Sequence, residues 1–176
     1  LDAEGRYRKF NPAVGLTWQA SPAMTLYGNI SQGNRAPSPI ELGCSDPEQP
    51  CVLPNALQSD PPLRQVASRS FEAGVRGTSG SLRWNAAAYR TSNKDDLLFI
   101  SNGLAAGYFT NFGRTERQGL ELGLSQQLGS LTWSMNYSLL QATYRSSACL
   151  TAEGNSTAET SEACGGDDEI EVRPGD

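Results

Sequence analysis

The alternation between Gly119 and Tyr137 limits this chain more than any other feature. On one arm Leu120, Leu122 and Leu124 alternate with Glu121, Gly123 and Ser125. On the other, after a turn at 126–130, Leu131, Trp133, Met135 and Tyr137 alternate with Thr132, Ser134 and Asn136. Successive side chains of a strand point to opposite faces, so both arms present one apolar face and one small, polar face. Such a hairpin suits a soluble sandwich, whose core covers the apolar face. It also suits a membrane barrel, whose apolar face meets lipid while the polar face lines a wet lumen.

The pattern recurs twice upstream. In a hairpin over about 7–32, Val14, Leu16 and Trp18 share one face, a turn at Ala20–Ala23 contains Pro22, and Met24, Leu26, Gly28 and Ile30 continue the face on the return strand. In a hairpin over about 68–100, Phe71, Ala73, Val75 and Gly77 lead through a tight Ser79-Gly80 turn to Leu82, Trp84, Ala86 and Ala88. The second arm runs on to Ile100 through an expected bulge or rim at 93–96. The opening hairpin, with its approach from Tyr108, makes a third over about 108–145. Residues 33–67 hold most of the prolines and keep no period, which predicts a long loop with a short helical turn at Pro39–Leu42. Residues 146–176 are acidic, with Glu153, Glu159, Glu162, Asp167, Asp168, Glu169, Glu171 and Asp176, and are expected to form a solvated loop.

Composition closes off several classes. The chain has no histidine and a net charge of −5, with its 14 basic residues scattered, so neither a histidine-based active site nor a nucleic-acid partner is indicated. No serine, cysteine or aspartate sits in a recognisable nucleophile setting, and no enzymatic activity is expected. No run approaches the roughly 18–20 apolar residues of a membrane helix, yet 38% hydrophobic content is what alternating barrel strands average to. The four cysteines form two local pairs in polar loops, which predicts the disulfides Cys44–Cys51 and Cys149–Cys164 rather than a metal site. Neither a cofactor nor a metal is expected; the Gly165–Glu169 run lacks calcium-loop spacing, and Asn155-Ser-Thr157 is an accidental sequon.

On the apolar faces of the six strands, from Val14 to Leu139, no charge appears; Glu72, Arg76, Arg83 and Glu121 all fall on the other face. Either a lipid face or a core requires this. Three further features favour the barrel: the small residues of the polar face, strands of about 9–11 residues or more, and short turns at one end with long loops at the other. Trp18, Trp84 and Trp133 lie near the short-turn end, where an aromatic girdle belongs. The fold class expected is thus all-β: about six strands of an antiparallel up-and-down transmembrane β-barrel, a curved open sheet on its own. A secreted or surface β-sandwich of adhesin type is the alternative.

Ser31-Gln-Gly-Asn-Arg-Ala-Pro-Ser-Pro-Ile-Glu-Leu42 resembles the strand-to-loop signature of TonB-dependent outer-membrane receptors. So do Phe10-Asn-Pro-Ala-Val-Gly15, Phe71-Glu-Ala-Gly-Val-Arg-Gly77, the run from Tyr108 to Leu122, and Val172-Arg-Pro-Gly-Asp176. The resemblance implies that residues 1–176 are part of a barrel of about 22 strands that encloses a plug. Opening at Leu1 without an initiator Met and closing on Arg173–Asp176, the chain is expected to be an internal piece. It further implies a bacterial outer membrane, lipid, plug and TonB as partners, and import of a scarce solute such as an iron–siderophore complex or cobalamin. Candidate ligand contacts are Arg35 at the loop end of its strand and Tyr27, Asn29, Arg76, Arg83 and Glu121 on the polar face. Structural roles compete with that reading, a strand-end anchor for Arg35 and a cross-strand charge ladder for the rest.

Overall fold

The computed structural model describes residues 7–44, 51–52, 63–101, 106–151 and 169–175. Its strands are β1 (Ala13–Ser21), β2 (Met24–Arg35), β3 (Cys51–Val52), β4 (Val66–Ser79), β5 (Leu82–Ser101), β6 (Ala106–Leu128), β7 (Leu131–Tyr144), β8 (Ala148–Thr151) and β9 (Glu169–Val172), with one short helix, α1 (Pro39–Leu42). Six of the strands form an open antiparallel sheet in the order β1-β2-β4-β5-β6-β7, and β3 joins the far end of β6. No helix among the described residues is long and apolar enough to cross a membrane.

The turns follow from local chemistry. Gly80 and Gly129 have φ of +58° and +62°, each as the first residue of a two-residue turn followed by serine. A left-handed first position costs glycine nothing, and it matches the twist of the strands it joins. Pro22-Ala23 closes the first hairpin instead, with a register shift between Gln19 and Ser21 absorbing the extra residue. Asp95, with φ +55°, interrupts the β5–β6 ladder inside the expected 93–96 irregularity.

Register turns the alternation into rows. Trp18, Leu26, Val75, Ala86, Leu122 and Tyr137 are successive cross-strand partners, and so are Leu16, Gly28, Ala73, Ala88, Leu120 and Leu139. These rows lie on one face, and their large side chains stay in the open: Trp18 is 63%, Leu122 47% and Tyr137 54% exposed. No second sheet covers them among the described residues, which removes the sandwich reading. The buried apolar residues Cys44, Leu63, Val66, Ile100 and Phe112 lie instead beyond the rows, toward the loop end, where the backbone N–H of Phe109 donates to the carbonyl of Cys44. The loop between β2 and β4 is thereby folded onto the long β5–β6 ribbon.

Three expectations change. The first strand starts at Ala13 rather than near Tyr7; residues 7–12 are held from outside the ladder, the Phe10 carbonyl accepting from Gln32 Nε2 and the Pro12 carbonyl from the Gln32 backbone. The 33–67 loop contributes β3, too short to show a period. The segment beyond Arg145 is not all solvated loop, because β8 and β9 pair from Ala148↔Val172 to Thr151↔Glu169. No described cysteine is free; the pairings Cys44–Cys51 and Cys149–Cys164 involve side chains outside the described set, as do residues 165–168 and Asn155.

Candidate functional site

The opposite face carries the polar rows. Thr17, Tyr27, Gly74, Ala87, Glu121 and Ser138 are cross-strand partners in one row. Asn29, Glu72 and Tyr89 stand in the next row, Arg76 and Asn85 in the row on the other side, and Arg83 one row nearer the short turns. Five of the six residues singled out from sequence, Tyr27, Asn29, Arg76, Arg83 and Glu121, therefore fall within four consecutive rows of one surface. Arg35 shares the face but lies at the far end of β2.

The rows are knit by contacts between neighbours. Asn29 Nδ2 donates to Glu72 Oε2 at 3.3 Å, and the Arg76 guanidinium carbon lies 6.0 Å from the Tyr27 ring centroid, the outer limit for a cation–π contact. Ser70 and Thr91 share a hydrogen bond of 2.9 Å. Tyr27 lies across Gly74 and Tyr89 across Gly119, so each ring covers the strand beside it where the partner has no side chain. The side chains of Arg83 and Glu121 make no hydrogen bond or ion pair with other described residues. They remain available to a partner on that side.

At the loop end, Ser38-Pro-Ile-Glu41 forms a capping box, a signal legible in the Ser-x-x-Glu spacing. Ser38 N donates to Glu41 Oε2 at 2.7 Å and Glu41 N donates to Ser38 Oγ at 3.4 Å. Arg35 completes it as a two-pronged ion pair, Nη1 to Oε2 at 2.7 Å and Nη2 to Oε1 at 3.0 Å. The Arg35 hydrogen bonds hold the Glu41 carboxyl below its ordinary value of 4.5, against an opposing effect of burial and with help from Ser38. Because the folded value lies below the unfolded one, the clip contributes fully above pH 4.5 and is lost as pH falls through the lowered value. The protection factors of the Leu42 and Gly43 amides, taken against the intrinsic exchange rate at each pH, should fall over that window, and Glu41→Gln should flatten that fall. An unchanged profile in the variant would refute the clip.

A second polar group was not singled out from sequence. Beyond Phe71 and Leu120 the same parity that carries the apolar rows continues into Arg69, Arg90, Arg114 and Glu116. Glu116, only 5% exposed, takes Arg90 on one oxygen, Nε at 2.8 Å and Nη2 at 2.6 Å. On the other it takes Arg145, Nε at 3.2 Å and Nη2 at 2.6 Å. Extending the period-two reading from Leu120 back to Glu116 and Arg114 would have put these two on the apolar parity, but only the register brings Arg69, Arg90 and Arg145 to them. Near it, Arg64 pairs with Asp95 at 2.8 Å, and Asn111 bonds the backbone of Arg64 and Asp95, fastening the loop end to the ribbon. No group of metal-ligating side chains occurs among the described residues.

A sheet with one exposed apolar face and one row-patterned polar face is the wall of a membrane β-barrel. The chain belongs to the TonB-dependent receptor family: the family described as TonB dependent receptor-like, beta-barrel, matches residues 2–164. Among solved structures it is similar to the FrpB iron transporter of Neisseria meningitidis in its F3-3 and F5-1 variants, each with 23% identity, 75% of this chain and 19% of that chain covered, and a TM-score of 0.55. The copper transporter OprC matches with 21% identity, 74% and 20% coverage, and a TM-score of 0.55. The likeness is one of fold, and this chain spans about a fifth of the length of these proteins.

Proposed function

We propose that this chain forms part of the barrel wall of a bacterial outer-membrane receptor that actively imports a scarce nutrient. The cargo class is a metal chelate, such as an iron–siderophore complex, or cobalamin, with TonB supplying the energy through the rest of the protein. The observation that carries the reading is the pair of apolar rows left exposed across six hydrogen-bonded strands, a surface suited to lipid. That FrpB transports iron and OprC transports copper supports metal-linked cargo. In this reading the polar rows line the lumen; Arg83 and Glu121, unpaired among the described residues, contact plug or solute, with Tyr27, Asn29 and Arg76 beside them. Arg35, bound to Glu41, serves the outer loop.

Cells lacking their own uptake receptors and carrying the full-length gene test this on defined iron, copper and cobalamin sources. Growth should be rescued on one source and abolished when TonB is depleted. The double variant Arg83→Ala/Glu121→Ala should slow uptake at unchanged surface abundance. Rescue that persists without TonB would sink the energised-transport reading.

A further inference from the structure

The outward arginines lie where the apolar rows end. Counting from the short turns, the outward rows are apolar through Leu120 and Leu139. The next row reads Val14, Ile30, Phe71, Arg90, Gln118 and Gln141, and the one beyond reads Gln32, Arg69, Ser92, Glu116 and Thr143. Arg69, Arg90, Arg114, Glu116 and Arg145 together line a basin of about 640 Å³ with Phe71 at its lower edge. Phe71 and Arg90 also border a second depression of about 750 Å³, walled by Val14, Leu16, Ile30 and Ala88. One is basic, the other apolar, and they adjoin on the same face.

The charge in the basin does not balance. Four arginines face one glutamate, an excess of three positive charges. Both Glu116 oxygens are spent fixing Arg90 and Arg145, so these guanidinium groups are held in place with other N–H donors to spare. Arg69 has only the neutral Gln32 oxygen at 3.3 Å, and Arg114 has no side-chain partner among the described residues. Converging guanidinium groups are matched by a phosphate, whose several oxygens accept paired N–H donors, better than by a single carboxylate.

We propose that this outward face binds a phosphorylated lipid of the surrounding leaflet, its phosphate on Arg69, Arg90, Arg114 and Arg145 and an acyl chain in the depression below Phe71. The inference rests on the membrane reading above. A lipid headgroup is favoured over free phosphate because one molecule fills both depressions. It is favoured over a protein partner because the basin lies at the edge of the apolar band, where headgroups sit.

The test uses the full-length receptor reconstituted in phosphatidylethanolamine nanodiscs with added lipid A, with dephosphorylated lipid A, or with inorganic phosphate as competitor, retained lipid being measured by mass spectrometry. The phosphorylated lipid should be retained and the dephosphorylated form lost. Arg69→Gln and Arg114→Gln, which leave the Glu116 pairs intact, should each weaken retention about fivefold, the factor for one basic residue at a lipid surface. Arg117→Gln, on the other face, should leave lipid retention unchanged. Equal retention of the two lipids, equal retention by the variants, or displacement by millimolar inorganic phosphate would overturn the site. A wild-type receptor that fails to insert at all would overturn the membrane reading and this inference with it, whereas insertion without selective retention would overturn this inference alone.

Discussion

Replacing Leu122 with arginine is expected to cost the full-length receptor about 2–4 kcal/mol of folding free energy in a bilayer. Leu122 sits in the middle of the apolar stretch of β6, between Ala86 and Tyr137 in its row, and is 47% exposed on the outward side. A guanidinium there has neither water nor a carboxylate within its row. The adjacent residue, Glu121, points to the other face, so Glu121→Gln should stay within about 0.5 kcal/mol, as surface changes do. Urea titration of folding into vesicles measures both. Equal, small effects for the two variants would mean that lipid does not cover the leucine rows.

The second large effect is expected at Gly119. A Cβ added there would lie 2.7 Å from the Tyr89 hydroxyl and would also press on the Leu139 carbonyl. The tyrosine ring can swing aside, but the carbonyl belongs to the β6–β7 ladder and can move only with the strand. Gly119→Val should therefore destabilise by about 1–3 kcal/mol, the usual cost of overpacking. Adding Tyr89→Ala should restore only part of the loss, since the backbone clash remains. Full recovery in the double variant, measured by the same titration, would show that the ring alone was responsible.

What could be read from the sequence depended on period. Where Leu120 to Tyr137 alternate, strand, face and turn all follow, because one residue of slip would move every leucine to the wrong side. The same logic put Tyr27, Asn29, Arg76, Arg83 and Glu121 on one surface. It could not show that Arg35 would be drawn away to Glu41, because that pairing depends on α1 folding back toward the end of β2. The strands β8 and β9 were missed because each is four residues long, so that even the alternation Glu169-Ile170-Glu171-Val172 is too short to stand out from an acidic segment. The arginine basin was missed for another reason: its residues are spread over β4, β5, β6 and the end of β7, and only the register assembles them.

The lengths of β5 and β6, at 20 and 23 residues, exceed what a crossing requires. At roughly 3.3 Å per residue and a tilt near 45°, a 20-residue strand climbs about 45 Å, whereas the hydrocarbon layer is about 30 Å thick. In the membrane setting proposed above, the surplus stands clear of the hydrocarbon layer as a hydrogen-bonded mast. Substitutions along the upper ladder, from Leu97↔Asn111 to Ile100↔Tyr108, can then alter what stands above that layer while the rows below keep their register.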